Sequence, residues 1–203
     1  MVGSILFRYK DVAIRKLQDL SERRMLSSLA EAGVDIDGKG ISFKGKCYLY
    51  ISHGSRVFIG DGFICNSGRF AIDNGGHSVI SVGDGATLSI GAHSGMSNTS
   101  IQCREEIVIG DYVNIGAGCL IMDSDFHSKD WMVRRDRVLD RQSADKASVH
   151  IGNDVFVGAR SIICKGVTIG ERAIIAAGSV VVNDIPADCL AGGNPARVIR
   201  SLR

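Results

Sequence analysis

Aliphatic residues recur at every sixth position along the C-terminal half of the chain. The second position of each repeat is mostly Gly or Ala, as at Gly152, and the fifth is small or β-branched, as at Val155. The same register holds upstream at Ile109, Ile115 and Ile121. From residue 151 onward the first positions are Ile151, Val157, Ile163, Ile169, Ile175 and Val181. A repeat this regular indicates a fold built from stacked units.

A period of six matches neither an amphipathic helix nor a plainly alternating strand. It matches short strands joined by tight corners, with one inward aliphatic side chain per side and a small residue at the turn. Three such sides close a triangular coil of about 18 residues. The pattern therefore predicts an all-β solenoid, a parallel β-helix, in the domain 41–203, with roughly seven coils between residues 41 and 190.

Composition supports a packed core of aliphatic side chains. The 203 residues include 25 Gly but only 2 Pro, which excludes collagen-like and Pro-rich disordered chains. Apolar residues make up 45% and aromatic residues 6%, so Ile, Val, Leu and Ala must build the core. Eight of the glycines follow Ile or Val between residues 59 and 170, which ties the glycine excess to the repeat.

Charge and targeting signals narrow the class of protein. The 24 basic residues nearly balance the 22 acidic ones and form no long block, so no nucleic-acid partner is expected. No apolar run is long enough to span a membrane and no signal peptide is evident, so we expect a cytoplasmic protein. The six cysteines lack zinc-finger spacing and the histidines lie at least 16 residues apart. We therefore expect reduced thiols and no metal site, which disfavours a zinc enzyme resembling the gamma-class carbonic anhydrases.

One long segment interrupts the repeat. Ile121 and Ile151 stay in frame, but residues 122–148 do not follow the pattern. Loops of this length inside a compact domain are usually functional or disordered. This excursion loop holds Asp-Ser-Asp-Phe-His at 123–127, the only tryptophan, Trp131, and an Arg-rich stretch at 134–141.

The hexads together with Ala-Gly-Gly-Asn-Pro-Ala-Arg at 191–197 resemble the hexapeptide-repeat acyltransferases. The ending is similar to that of the sugar O-acetyltransferase group, which includes the maltose, galactoside and capsular polysaccharide acetyltransferases. The resemblance implies that the β-helix is left-handed, that acetyl-CoA is the co-substrate, and that a homotrimer has active sites between its subunits. It also implies a saccharide acceptor, acetylated on a hydroxyl during surface polysaccharide synthesis.

Residues 123–127 resemble the D-x-D-x-H form of the family's catalytic motif. The resemblance implies that His127 is the general base, since imidazole changes protonation near neutral pH and can take a proton from an alcohol. Asp123 or Asp125 is expected to hold the imidazole in the productive tautomer. The alternative is that His127 is a solvated loop residue beside two carboxylates.

The resemblance also assigns acceptor residues. Asn98 is expected to hydrogen-bond the sugar near His127. Apart from the resemblance, Trp131 of the excursion loop is a second candidate for substrate binding. The alternative for Asn98 is a corner residue in the left-handed conformation. The Arg-rich stretch at 134–141 leaves the identity of the acceptor open, because those arginines are suited to a phosphate.

For the donor, the resemblance places CoA along the coils that follow the loop. Backbone groups near the pantetheine arm are expected from Gly158, Ala159, Ser161, Ala176, Ala177 and Gly178. The phosphates are expected to meet Lys165, Arg197 and Arg200. Asn194 and Pro195 are also expected to bind CoA. No P-loop or dinucleotide-binding fingerprint occurs, which disfavours nucleotide hydrolysis.

The N-terminal segment 1–40 has a different pattern. Apolar residues at helical spacing within 11–32 predict a helix that ends at Gly33 and caps the first coil. The basic residues of this helix allow a second interpretation, peripheral contact with an anionic membrane. Two alternatives to the sugar acetyltransferase also stay open: a non-catalytic β-helical scaffold, and an acetyltransferase of a hydroxylated drug.

Overall fold

The fold was analysed in a computed structural model, which describes residues 39–71 and 76–203 together with Ser27. The predicted N-terminal helix over 11–32 lies outside these residues, apart from Ser27. Within the described ranges, no helix has both the length and the apolar character needed to cross a membrane.

Short strands account for most of the described chain. In chain order they are β1 (Ser42–Lys44), β2 (Tyr48–Ile51), β3 (Arg56–Ile59), β4 (Ile64–Asn66), β5 (Val79–Val82), β6 (Thr87–Ile90), β7 (Gly95–Ser97), β8 (Ser100–Cys103), β9 (Glu106–Ile109), β10 (Asn114–Ile115), β11 (Leu120–Met122), β12 (Val149–Ile151), β13 (Phe156–Val157), β14 (Ile162–Ile163), β15 (Thr168–Ile169), β16 (Ile174–Ile175), β17 (Val180–Val181), β18 (Cys189–Gly193) and β19 (Ala196–Ser201).

These strands form three sheets, the faces of a triangular coil. The first face has the order β1-β4-β7-β10-β13-β16-β18-β19, the second β17-β14-β11-β8-β5-β2 and the third β15-β12-β9-β6-β3. All pairings between these strands are parallel except that of β18 with β19, which is an antiparallel hairpin. The predicted parallel β-helix is confirmed.

The six-residue register predicted from the sequence is the register of the sheets. Ile115 pairs with Val157 and Val157 with Ile175 on the first face. The second face stacks Ile121, Ile163 and Val181, and the third stacks Ile109, Ile151 and Ile169. All nine side chains are buried, so the core is a set of aliphatic stacks along the axis. All six cysteines are free thiols, and five of them are buried in or against these stacks.

Glycine after the aliphatic position serves close approach between coils rather than the turn itself. A Cβ on Gly158 would lie 2.5 Å from the backbone nitrogen of Ala177, and one on Gly116 would lie 2.5 Å from that of Ala159. Left-handed backbone at the corners is adopted instead by residues such as Asp154 and Arg160, with φ of 58° and 60°. The expectation that the small residue turns the corner is therefore wrong at these positions.

The excursion loop leaves the second face after Met122 and returns to the third face at Val149. Its two ends are held together by an antiparallel bridge between Ser124 and Lys146. It contains a 3-10 turn at Val133–Arg135 and a short helix, α1 (Arg137–Gln142), which the sequence pattern did not predict. A second 3-10 turn, Gly68–Phe70, lies between β4 and β5.

Candidate active site

His127 is paired with a carboxylate of α1. Its Nδ1 lies 2.6 Å from Oδ2 of Asp140, and the other carboxylate oxygen of Asp140 accepts a hydrogen bond from the Ser128 N–H at 2.7 Å. The Asp140 side chain is only 9% exposed, whereas that of His127 is 70% exposed. The pair thus consists of a solvent-facing imidazole and a shielded carboxylate that holds it.

Local capping explains why α1 presents Asp140 to His127. Asp136 is the N-cap, and its carboxylate accepts from the N–H groups of Val138 and Leu139 at 2.8 and 3.1 Å. Asp140 follows one turn later, where its own N–H donates to the Asp136 carbonyl. Because a capped helix start fixes the first turn, the Asp140 side chain has a defined direction.

The hydrogen bonds of the pair set the tautomer of the imidazole. The hydrogen bond from His127 lowers the pKa of Asp140 below its usual range, and the Ser128 N–H lowers that pKa further. An ionised carboxylate only accepts hydrogen bonds, so the imidazole must carry its proton on Nδ1. In the neutral imidazole the lone pair is then on Nε2, which is the tautomer that a general base requires.

The prediction that Asp123 or Asp125 holds the imidazole is wrong, because Asp140 does so. Asp123 is fully buried, and its two oxygens accept from the backbone N–H groups of Arg104 and Glu105, each at 2.7 Å. Asp125 Oδ2 lies 3.4 Å from Lys165 Nζ. Asp123 therefore joins the loop to the preceding coil, and Asp125 joins it to the following one.

His127 faces a cleft of about 810 Å³ between the β-helix and the excursion loop. Its β-helix wall consists of corners between the second and third faces in successive coils, namely Ser52, Gly83, Asp84 and Arg104. Its loop wall includes Phe126, His127, Arg137, Asp140, Arg141 and Lys146. The Arg104 guanidinium lies 5.6 Å from the Phe126 ring centroid, so the two walls touch. Arg104 and Lys146 were not singled out from the sequence.

The residues expected to bind the acceptor do not line this cleft. Asn98 is a buried corner residue with φ of 41°, and its Oδ1 accepts from the Gly68 N–H at 2.7 Å. The Trp131 side chain lies on the outer surface of the loop, 54% exposed, with the Arg135 guanidinium 4.6 Å from its ring centroid. Within one chain, neither residue is brought to His127.

The expected pantetheine-binding groups form two stacked corners between the first and second faces. Most of their polar groups hold the coils together: the N–H groups of Gly158, Ala176 and Gly178 donate to Ile175, Ala191 and Ala159, each at 2.8 Å. The fully buried hydroxyl of Ser161 lies within hydrogen-bond distance of the carbonyls of Gly158 and Ala176 and so also serves the coils.

Two backbone groups of those corners do stay available. Among the described residues, nothing accepts a hydrogen bond from the N–H of Ala159 or of Ala177. Ala159 is partly exposed and Ala177 is exposed. The two alanines thus form a ledge of unused donors on adjacent coils.

The three basic residues expected at the CoA phosphates lie in different places. Lys165 is 22% exposed and faces Asp125 of the loop. Arg197 lines a smaller recess of about 380 Å³ with Asn183, Asp184 and Ile185. Arg200 is exposed on β19, and Asn194 and Pro195 form the exposed turn between β18 and β19, with a cis peptide bond between them. Among the described residues, no cluster of His, Cys, Asp and Glu side chains is arranged to hold a metal ion.

The fold and the motifs match known proteins. The family model of the bacterial transferase hexapeptide (six repeats) matches residues 148–183. A hexapeptide-repeat containing acetyltransferase from Vibrio cholerae O1 biovar eltor, solved in complex with acetyl coenzyme A, is 33% identical with a TM-score of 0.53. That similarity covers 77% of this chain and 71% of the Vibrio chain. The fold is thus a left-handed β-helix, and the chain belongs to the hexapeptide-repeat acetyltransferase family.

Other similarities are more local or more distant. The galactoside O-acetyltransferase of Escherichia coli (strain K12) is 48% identical over 54 residues, which is 27% of each protein. The chain thus spans about a quarter of the length of the curated relatives it matches. A maltose O-acetyltransferase from Clostridium difficile 630 is 22% identical over 98% of this chain and 89% of that one, with a TM-score of 0.61, and shares the fold.

Proposed function

We propose that this protein is an acetyl-CoA-dependent O-acetyltransferase that acetylates a sugar hydroxyl in surface polysaccharide synthesis, with His127 as general base. The observation that carries the proposal is the His127–Asp140 pair, 2.6 Å apart, at a cleft in a chain of the hexapeptide-repeat acetyltransferase family. An exposed imidazole held by a shielded carboxylate is what removal of a hydroxyl proton requires.

The chemistry follows from the protonation of the pair. Nε2 of His127 takes the acceptor's hydroxyl proton while the oxygen forms a bond to the thioester carbonyl carbon. Asp140 stabilises the imidazolium that results. The carbon–sulfur bond then breaks, and the imidazolium returns its proton to the departing thiolate. An ester and free CoA are formed, and the enzyme regains its starting state.

For the donor, this chain offers a small-residue ledge and two arginines. The free N–H groups of Ala159 and Ala177 are suited to the amide carbonyls of a pantetheine arm. Arg197 lies in a recess at the end of the β-helix and Arg200 is exposed nearby on β19, and both can meet phosphate oxygens. The ledge lies on the coils after the excursion loop, as the resemblance implies for CoA.

We further propose a homotrimer with active sites between subunits. The outer surface of the loop exposes apolar side chains at Trp131, Met132, Val138 and Leu139, which is unusual for a polar loop. In a trimer this surface would cover a neighbouring subunit, and Asn98 and Trp131 would reach an acceptor only across that interface. Light scattering should give a mass three times the 21.7 kDa of the chain.

Amine acetylation is a second candidate. The 2,3,4,5-tetrahydropyridine-2,6-dicarboxylate N-acetyltransferase of Clostridium perfringens (strain SM101 / Type A) is 48% identical over 52 residues, or 26% of this chain and 22% of that protein. Hydroxylamine distinguishes the two reactions, because it cleaves an acetyl ester and leaves an amide intact.

The test is transfer from acetyl-CoA to a panel of saccharides and amino sugars, followed by thiol release and mass spectrometry of the product. His127→Ala should lower kcat by about 10²-fold or more while the melting temperature and the Kd for CoA stay unchanged. Turnover like that of the wild type would remove His127 from the mechanism. No CoA binding at millimolar concentration would favour the non-catalytic scaffold.

A further inference from the structure

We infer that the acceptor of this site carries an anionic group, a carboxylate or a phosphate, beside the hydroxyl that is acetylated. This inference rests on the proposed function, since it names the class of acceptor that the cleft of His127 would take. Its basis is the set of cations that line that cleft, namely Arg104, Arg137, Arg141 and Lys146.

None of these four cations is neutralised within the described part of the chain. The ion pairs found there involve other basic groups, such as Lys129 with Asp145 at 2.6 Å and Arg172 with Asp188 at 2.7 Å. The four cleft cations form no ion pair with any described carboxylate. They are therefore available to a ligand.

The two carboxylates of the cleft do not balance this charge. Asp140 is committed to His127, which leaves Asp84 as the only other carboxylate among the described lining residues to face the four cations. Among the described lining residues, four positive charges stand against two negative ones, which is a net charge of +2. A lining with this excess of positive charge attracts anions.

The cations approach the site from both walls. Arg137 and Arg141 lie one turn apart on α1, on either side of Asp140 in the sequence. Like charges four residues apart destabilise a helix, so this short helix gains nothing from the pair by itself. Arg104 belongs to the β-helix wall, and Lys146 belongs to the bridge that joins the two ends of the loop. An anion in the cleft would therefore have guanidinium groups on both sides, which suits the paired oxygens of carboxylate and phosphate.

The phosphates of CoA are the other source of the same chemistry. The proposed donor residues, Ala159, Ala177 and Arg197, lie on coils after the excursion loop, whereas Arg104 and the other corners of the cleft precede it. We therefore assign the cleft to the acceptor. The Michaelis constant for acetyl-CoA, measured separately, distinguishes the two sources.

The experiment uses acceptors that share ring hydroxyls and differ in charge: glucose, glucuronic acid and glucose 6-phosphate, then galactose and galacturonic acid. Acetyl transfer from acetyl-CoA is measured for each with the wild type. We expect kcat/KM to be at least tenfold higher for an anionic member than for its neutral counterpart, and this preference to shrink as salt is raised.

Variants test the individual cations. Arg137→Gln and Arg141→Gln should each raise the KM for the anionic acceptor by about tenfold, affect the KM for a neutral sugar much less, and leave the KM for acetyl-CoA unchanged. Lys44→Gln removes an exposed positive charge at the end of β1, outside the cleft, and should change none of these values.

Each outcome decides between the inference and the proposed function. Equal kcat/KM for neutral and anionic acceptors, or variants that affect both alike, would overturn the inference and leave the acetyltransferase in place. A rise in the KM for acetyl-CoA alone would assign the cations to the CoA phosphates and also overturn it. Transfer to no member of either set would contradict the proposed function itself.

Discussion

The Asp140 carboxylate accepts a hydrogen bond from Nδ1 of His127, although 13 residues separate the two in the chain. The same carboxylate accepts from the backbone of Ser128, so the residue after the histidine is held as well. Asp140 is therefore a positioning residue for the proposed base. Its contribution can be measured separately from that of the imidazole.

Asp140→Asn should lower kcat by about 10²-fold or more with little change in KM. The amide can donate to Nδ1, which would move the imidazole proton to Nε2 and remove the basic lone pair. Because the variant is nearly isosteric, the melting temperature should stay close to that of the wild type. Asp136→Asn, which keeps an N-cap oxygen, is the matched control and should retain most activity. An Asp140→Asn variant with full kcat would show that the contact is structural only.

The sequence predicted the histidine but not its partner, and the physical reason lies in the loop. Asp123 and Asp125 were favoured because they are close to His127 in the chain and match the motif. In the structure, Asp123 accepts from the backbone of the preceding coil instead. Asp140 is brought to His127 by α1, and the one sequence signal for that helix is Asp136 as its cap.

The β-helix itself was predictable because each hexad makes the same contacts as the next. Stacking of Ile115, Val157 and Ile175 follows directly from the six-residue period. The handedness came from the family resemblance, since the repeat alone does not define it. The cleft could not be predicted, because Arg104 reaches it from a coil corner that precedes the loop by almost twenty residues.

Gly158→Ala should destabilise the β-helix, by about 1–3 kcal/mol. The added methyl group would meet the backbone of Ala177 on the next coil, and backbone cannot rotate away as a side chain can. The free energy of unfolding by urea is the measurement. Gly76→Ala is the control, because a Cβ there has its nearest neighbour among the described residues at 3.9 Å, and it should leave stability nearly unchanged. Equal effects of both substitutions would contradict the role given to close approach between coils.

Lys165→Gln should lower kcat by less than tenfold and leave the KM for acetyl-CoA unchanged. The Lys165 ammonium lies 3.4 Å from Asp125. Lys129 and Asp145 form a second ion pair, which joins the beginning of the loop to its end. Loss of such partly exposed pairs loosens the loop modestly. Asp125→Asn should have the same effect if the pair is what matters. If the KM for acetyl-CoA rises in Lys165→Gln but not in Asp125→Asn, Lys165 instead binds the CoA phosphates.

Asp188→Asn should lower the melting temperature at neutral pH by a few degrees, and this difference should disappear in acid. The Arg172 guanidinium donates to both oxygens of Asp188, at 2.7 and 2.9 Å, and holds the pKa of that carboxyl below its usual range. A pKa lowered in the folded state stabilises the fold above the unfolded value, near 3.9, and this stabilisation is lost as pH falls through the folded value.

Thermal unfolding of the wild type and Asp188→Asn between pH 3 and pH 7 tests this linkage. Asn tolerates the left-handed backbone of position 188, where φ is 55°, so the substitution removes charge without adding strain. Asp154→Asn is the matched control, a corner carboxylate with φ of 58° that forms no ion pair with any described residue. A difference between Asp188→Asn and the wild type that does not shrink between pH 7 and pH 3 would mean that the carboxylate stabilises this corner by its shape and not by its charge.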